Sequence, residues 1–114
     1  MLQQVRFSAY RIMWLFVMFD LPVETKTDRK IAANFRKSLL KNGFSMYQYS
    51  IYIKHVPSAE SADVFTKRVE ANRPPKGEIG ILKVTDKQFG DIITVRGSGK
   101  KGRNLPNGAQ LEMF

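Results

Sequence analysis

Residues Ile12–Phe19 are apolar at every position. Even positions (Ile12, Trp14, Phe16, Met18) and odd positions (Met13, Leu15, Val17, Phe19) are equally hydrophobic. That length, with its β-formers, predicts a strand buried on both faces. The run stops at Asp20, and Pro22 bars continuation. Thr25 or Thr27 then caps a predicted helix reaching about Asn42, with Gly43 as its stop. At 100° per residue Ile31, Ala32, Phe35 and Leu39 share one face. Lys26, Arg29, Lys30, Arg36, Lys37 and Lys41 fall in an arc of roughly 140° on the opposite side. Asp28 alone offsets them within the segment, and it lies near the apolar arc.

Phe44–Lys54 alternates and predicts a second strand, its odd face the more apolar. Pro57-Ser58 opens a second helix over about 59–72, striped by Ala62, Phe65 and Val69. Asn72–Gly77 is a turn or loop. Glu78–Thr85 predicts a third strand, Asp86–Phe89 one short helical turn, and Asp91–Val95 a fourth strand. Arg96–Gly108 is rich in Gly, Lys and Asn and predicts a mobile loop. Ala109–Phe114 predicts one last short edge strand. No internal repeat is visible.

These elements are taken as the order β-α-β-β-α-β plus a tail strand, an α+β ferredoxin-like sandwich. Residues 1–95 form the domain, and 96–114 form a basic Gly-rich loop and C-terminal edge strand. Two helices cover one face of such a sheet, yet the first strand is apolar on both. The simplest cover for the second face is another copy of the chain, giving a sheet-to-sheet homodimer. A tail or loop folding over that face is the alternative.

Composition sharpens this picture. The chain has 114 residues, no cysteine and one histidine. Disulfide frameworks, thiolate zinc sites and cysteine nucleophiles are excluded, and a His-based triad is disfavoured. Nineteen Lys and Arg against ten Asp and Glu give a net charge of +9. In a domain this small, that imbalance points to a polyanionic partner. The apolar run is far short of the ~20 residues that span a bilayer. No small-residue cleavage site follows it. A soluble, cytoplasmic protein with no membrane role is expected.

Asp20 is the first site candidate. A carboxylate at the end of the most buried strand suits Mg²⁺, a hard cation that keeps most of its waters. Near a two-fold axis, two copies could share one ion, which would activate water or hold a phosphate. Local chemistry alone favours an Asx-type turn ahead of Pro22. The basic helix face is the second candidate. Its near absence of acids favours contact with a phosphate backbone over an ordinary solvated face. Lys67, Arg68, Arg73 and Lys76 form a less pure cluster. Arg96, Lys100, Lys101 and Arg103 form an acid-free one, able to wrap a duplex or merely to aid solubility.

Tyr47, Tyr49 and Tyr52 could stack on bases, but core or dimer packing is the commoner use of such residues. His55 reads as a surface residue without a catalytic role. Ser98–Lys101 lacks the glycine spacing and strand-to-helix setting of a phosphate loop.

Several stretches resemble a known family. Phe16–Pro22 is similar to the first strand of CRISPR-associated protein two, which ends in an aspartate. Gly43–Tyr52, with its Gln48-Tyr49-Ser50 and terminal aromatic, resembles the second strand. Gly77–Phe89 is similar to the third strand and following turn, and Leu111–Phe114 to the closing edge strand. The wording around Lys87-Gln88-Phe89 is most similar to members from type II systems. The order and spacing of these stretches are specific where no single one is. Residues 1–9 and the Gly- and Lys-rich 96–108 depart from the pattern.

The resemblance implies a ferredoxin-like homodimer with face-to-face sheets, its tail strand joining the partner's sheet. It implies a role in spacer acquisition, in which the dimer bridges dimers of the larger CRISPR integrase subunit and holds incoming double-stranded DNA. It also implies a Mg²⁺- or Mn²⁺-dependent nuclease activity on RNA or DNA. Asp20 would then be the catalytic and metal-binding residue. On the residues' own evidence, Lys26, Arg29, Lys30, Arg36, Lys37, Arg96, Lys100 and Lys101 are the nucleic-acid candidates. The DNA-holding scaffold is favoured, with the endonuclease or endoribonuclease as the alternative. An RNA-recognition module of the same fold is disfavoured, because Glu78–Thr85 contains no aromatic for a stacking platform. A small-molecule sensor would not explain the charge.

Overall fold

The computed structural model describes residues 12–97 of the chain. The core strand, β1 (Met13–Asp20), pairs antiparallel along both edges, which makes it an interior strand of the sheet. Its neighbours are β3 (Ile51–Val56) and β4 (Glu78–Thr85), and β2 (Ser45–Gln48) pairs with β3. The sheet order is β2-β3-β1-β4. With α1 (Lys26–Lys41) and α2 (Ala59–Ala71) the chain reads β-α-β-β-α-β, the ferredoxin-like arrangement expected.

Helix α1 is set by local chemistry. Thr25 is its N-cap, accepting from the Asp28 backbone N–H at 2.9 Å, while the Asp28 carboxylate accepts from the Thr25 N–H. That reciprocal box satisfies two orphan donors. At the other end Phe44 N–H donates to the Leu39 carbonyl and Gly43 N–H to that of Leu40. This Schellman turn needs a residue at positive φ, and Gly43 supplies it at +87°. Ser58 caps α2 through the Ser61 N–H.

The core has two layers. On the helix side Leu15, Val17 and Phe19 pack with Phe35 and Leu39 of α1 and Ala62 and Val69 of α2. On the other side Trp14, Phe16 and Ile53 pack with Phe89, joined by Ile92. Phe89 belongs to the short α3 (Asp86–Gly90), where a helical turn was expected. It stacks on Trp14 nearly parallel, 11° between planes and 3.9 Å between ring centres. The Trp14 indole N–H donates to the Asp86 carboxylate at 2.7 Å.

Two sequence expectations are corrected. Residues 44–54 are not one strand. They divide into β2 and β3 around Tyr49-Ser50, with a register shift between Met46 and Gln48. Residues 91–95 form no strand. Instead Phe89 and Ile92 carry the chain back across the second sheet face, against Trp14 and Phe16. The split of 44–54 puts the fourth strand before α2, whereas the expected elements had placed it after Glu78–Thr85, and it is this split that yields the β-α-β-β-α-β order. Cover by the chain's own loop thus accounts for the Trp14 end of that face. Met18 and Leu82, further along it, stay 36% and 47% exposed. The expected tail strand, 109–114, lies outside the described residues.

Candidate functional site

Asp20 is the last residue of β1, on the sheet face away from the helices. Register places Glu78, the first residue of β4, directly opposite. The two flank a shallow groove lined also by Met18, Ser50, Ile51 and Gly80. Both residues are exposed. Among the described residues neither carboxylate has a hydrogen-bond or ion-pair partner.

Backbone packing holds this corner. Gly77 sits at φ +93°, and a Cβ there would lie 2.6 Å from the Asp20 carbonyl oxygen and 2.8 Å from the Leu21 side chain. Glycine lets the loop entering β4 press against the end of β1. On the far side the Phe19 N–H donates to the Ser50 carbonyl at 3.0 Å, tying the β2–β3 hairpin to the same strand end.

A Mg²⁺ ion takes one or two carboxylates and fills its shell with water and phosphate oxygens. Two opposed, unpartnered carboxylates in an open groove fit that donor set. Among the described residues no group of three or more His, Cys, Asp or Glu could hold a metal. The described residues therefore bring this pair and no third carboxylate or imidazole to the groove. Periodicity pointed to Asp20 but missed Glu78, whose position depends on the β1–β4 register and on nothing local.

The basic face of α1 begins six residues after Asp20. Lys26, Arg29, Lys30, Lys37 and Lys41 are exposed, and Ala32, Phe35 and Leu39 are buried behind them. None of these cations is ion-paired among the described residues, where the pairs are Lys83–Asp63 and Lys87–Asp91. Asp28 is occupied by the cap. Arg29 also braces the preceding loop, donating to the Val23 and Glu24 carbonyls at 3.0 and 3.2 Å.

Arg36 differs from the others. It is half-buried, with its guanidinium 4.5 Å from the centre of the Tyr49 ring and 5.9 Å from that of Phe19. Of the second cluster, Lys67, Arg68, Arg73 and Lys76 are exposed, and Arg68 shares the Phe65 ring with Lys54. Arg96 is half-buried, and Lys100 and Lys101 lie outside the described residues. The tyrosines diverge: Tyr52 is buried, Tyr47 packs edge-on to Phe16, and Tyr49 is 69% exposed. His55 is exposed beside Trp14. No helix among the described residues is long and apolar enough to cross a membrane.

The family model for CRISPR associated protein Cas2 matches residues 13–92. A Flavobacterium psychrophilum protein named CRISPR-associated endoribonuclease Cas2 is 48% identical over 109 residues, spanning 96% of this chain and 94% of the relative. A Parvibaculum lavamentivorans protein of the same name is 45% identical, spanning 90% of this chain and all of the relative. A solved crystal structure of Cas2 superposes with a TM-score of 0.53 at 17% identity. It covers 82% of this chain and 99% of that one, a likeness of fold.

Proposed function

The chain belongs to the CRISPR-associated Cas2 family, and from that premise we propose that it is a cytoplasmic spacer-acquisition subunit. In this reading it acts as a homodimer that bridges dimers of the larger CRISPR integrase subunit and holds incoming double-stranded DNA. The observation that carries the reading is the α1 face, a row of exposed cations without a neutralising acid. Such a row lowers the cost of gathering phosphates, and the counterions it releases make binding steeply salt-dependent. The exposed Met18 and Leu82 on the second sheet face support the homodimer.

The decisive test uses Lys26, Lys30 and Lys37, because Arg29 and Arg36 also hold local structure. Duplex affinity is measured against salt for the wild type and for the triple Lys→Glu variant. The expected result is weaker binding with a log–log slope shallower by about 0.9 for each phosphate that is no longer neutralised. An unchanged slope in a folded variant would exclude this face.

A second reading is favoured by the opposed Asp20 and Glu78 and by the endoribonuclease name of the relatives. Here Asp20, with Glu78 across the ladder, holds Mg²⁺ or Mn²⁺ at the groove. A bound ion of this kind supplies Lewis acidity and an activated water for phosphodiester hydrolysis. Asp20 and Glu78 would hold such an ion at the strand ends, where Gly77 and the Phe19–Ser50 hydrogen bond fix the backbone that carries them.

A further inference from the structure

Tyr49 stands at the tip of the β2–β3 hairpin with most of its ring open to solvent. One side of that ring is engaged by the Arg36 guanidinium at 4.5 Å. Arg36 is itself lodged against Phe19, and its Nε is buried without a hydrogen-bond partner among the described residues. The guanidinium is therefore positioned by the two rings rather than by hydrogen bonds. A tyrosine whose only function was hairpin packing would turn its ring into the apolar core, as Tyr52 does. Tyr49 instead presents an aromatic surface backed by a cation.

From this arrangement we propose that Tyr49 is a stacking residue for an unpaired nucleobase, with Arg36 as the residue that positions its ring. Every base has a π-face, so a single exposed ring accepts bases without reading sequence. The cation behind the ring restrains it, which lowers the entropy lost when a base is captured. Location supplies the second argument. Arg36 belongs to α1, so the Tyr49 ring stands on the helix side of the sheet, beside the helix that carries the exposed Lys26, Arg29, Lys30, Lys37 and Lys41. The groove with Asp20 and Glu78 opens on the other face of the sheet, so the stacking role does not involve those carboxylates. The unpaired base could come from a single strand of RNA or DNA, or from the overhang of a duplex.

The proposal rests on the nucleic-acid reading of the protein but not on cleavage, so it is tested in EDTA. Affinities are measured for a short oligodeoxyadenylate strand and for an abasic strand of equal charge. They are compared for the full-length wild type, Tyr49→Phe and Tyr49→Ala, with a blunt duplex as reference. The expected result is a preference of about tenfold for the base-bearing strand. Tyr49→Phe should keep it and Tyr49→Ala should lose it, with duplex affinity unchanged. An RNA strand and a duplex with an overhang then show which source of unpaired base is used. Equal binding of the two strands by the wild type, with the duplex still bound, overturns the stacking role and leaves the phosphate-binding face intact. A preference that survives in Tyr49→Ala overturns it as well. So does a Tyr49→Ala variant whose main change is loss of self-association, since Tyr49 would then be covered by a second copy. Failure to bind any of these nucleic acids would overturn the parent reading itself.

Discussion

Asp20 faces Glu78 across the antiparallel β1–β4 ladder, so the last residue of the central strand and the first of the edge strand present two carboxylates to one groove. Like charges directly opposite one another destabilise a sheet by a few tenths of a kcal/mol to about 1 kcal/mol. A bound cation reverses the sign of that contribution.

The first expectation follows from this pair. Without divalent ions, Glu78→Gln should match or exceed the wild type in stability by a few tenths of a kcal/mol. Adding Mg²⁺ should raise the melting temperature of the wild type; an ion at ten times its dissociation constant adds about 1.4 kcal/mol. The increment should shrink in Glu78→Gln and vanish in Asp20→Asn. Thermal melts with and without Mg²⁺ read all three directly. An equal Mg²⁺ response in Asp20→Asn would remove Asp20 as a ligand. Nuclease assays on the same proteins should show cleavage lost with Asp20.

Gly77 offers a second, independent handle on the same corner. A Cβ at φ +93° is strained, and here it would also collide with the Asp20 carbonyl and Leu21. Backbone cannot move aside as a flexible side-chain tip can. Gly77→Ala should therefore cost about 1–3 kcal/mol in urea unfolding. Because the clash falls on β1 itself, it should also reduce the Mg²⁺ increment. Gly90→Ala, where a Cβ meets nothing, is the control and should be nearly silent.

How far the sequence reached can be read from these residues. The stop at Gly43 and the bounds of β4 were legible, and the cap was narrowed to Thr25 or Thr27, because each depends on neighbours a few positions away. The hairpin at Tyr49-Ser50 was not, since apolar-polar alternation runs through it and no Gly or Asn marks the turn. The strand expected at 91–95 failed for a tertiary reason: Phe89 and Ile92 gain more by covering Trp14 and Phe16 than by pairing along an edge. Asp20 was visible as the end of an apolar run. Glu78 was not, because register is fixed by the whole ladder. The helical wheel placed Arg36 with the other cations, while the fold lodges it beneath Tyr49.

Trp14 is the chain's single tryptophan, so its fluorescence reports on the loop that folds over it. Phe89→Ala removes the ring stacked on it and opens a cavity, for an expected loss of about 3–5 kcal/mol. Asp86→Asn exchanges a charge-assisted acceptor for a neutral one and should cost less, about 1 kcal/mol. Both should red-shift the emission, Phe89→Ala the more. A Phe89→Ala protein with native stability and emission would show that α3 does not cover this face.

The remaining part of the second sheet face gives the last expectation. Phe89 and Ile92 shield Trp14 and Phe16, but Met18 and Leu82 stay exposed on the same surface, next to Gly80, which offers no side chain to cover them. Met18 belongs to the strand that is otherwise buried from Trp14 to Val17, so leaving it in water forfeits about 25 cal/mol for each Å² of apolar surface. A second copy laid over this strip recovers that surface twice, once for each chain. A charge placed there would instead have to be desolvated in the interface. Met18→Glu and Leu82→Glu should each yield a monomer by sedimentation, with the far-ultraviolet circular dichroism of the wild type, since both sites are already solvated in the single chain. Ile93→Glu changes a residue that is 78% exposed and outside the sheet, and it should leave the association state unchanged. If Met18→Glu and Leu82→Glu sediment as the wild type does, the sheets do not meet face to face through this strip. The two-fold pairing that would bring one Asp20 near another then loses its support.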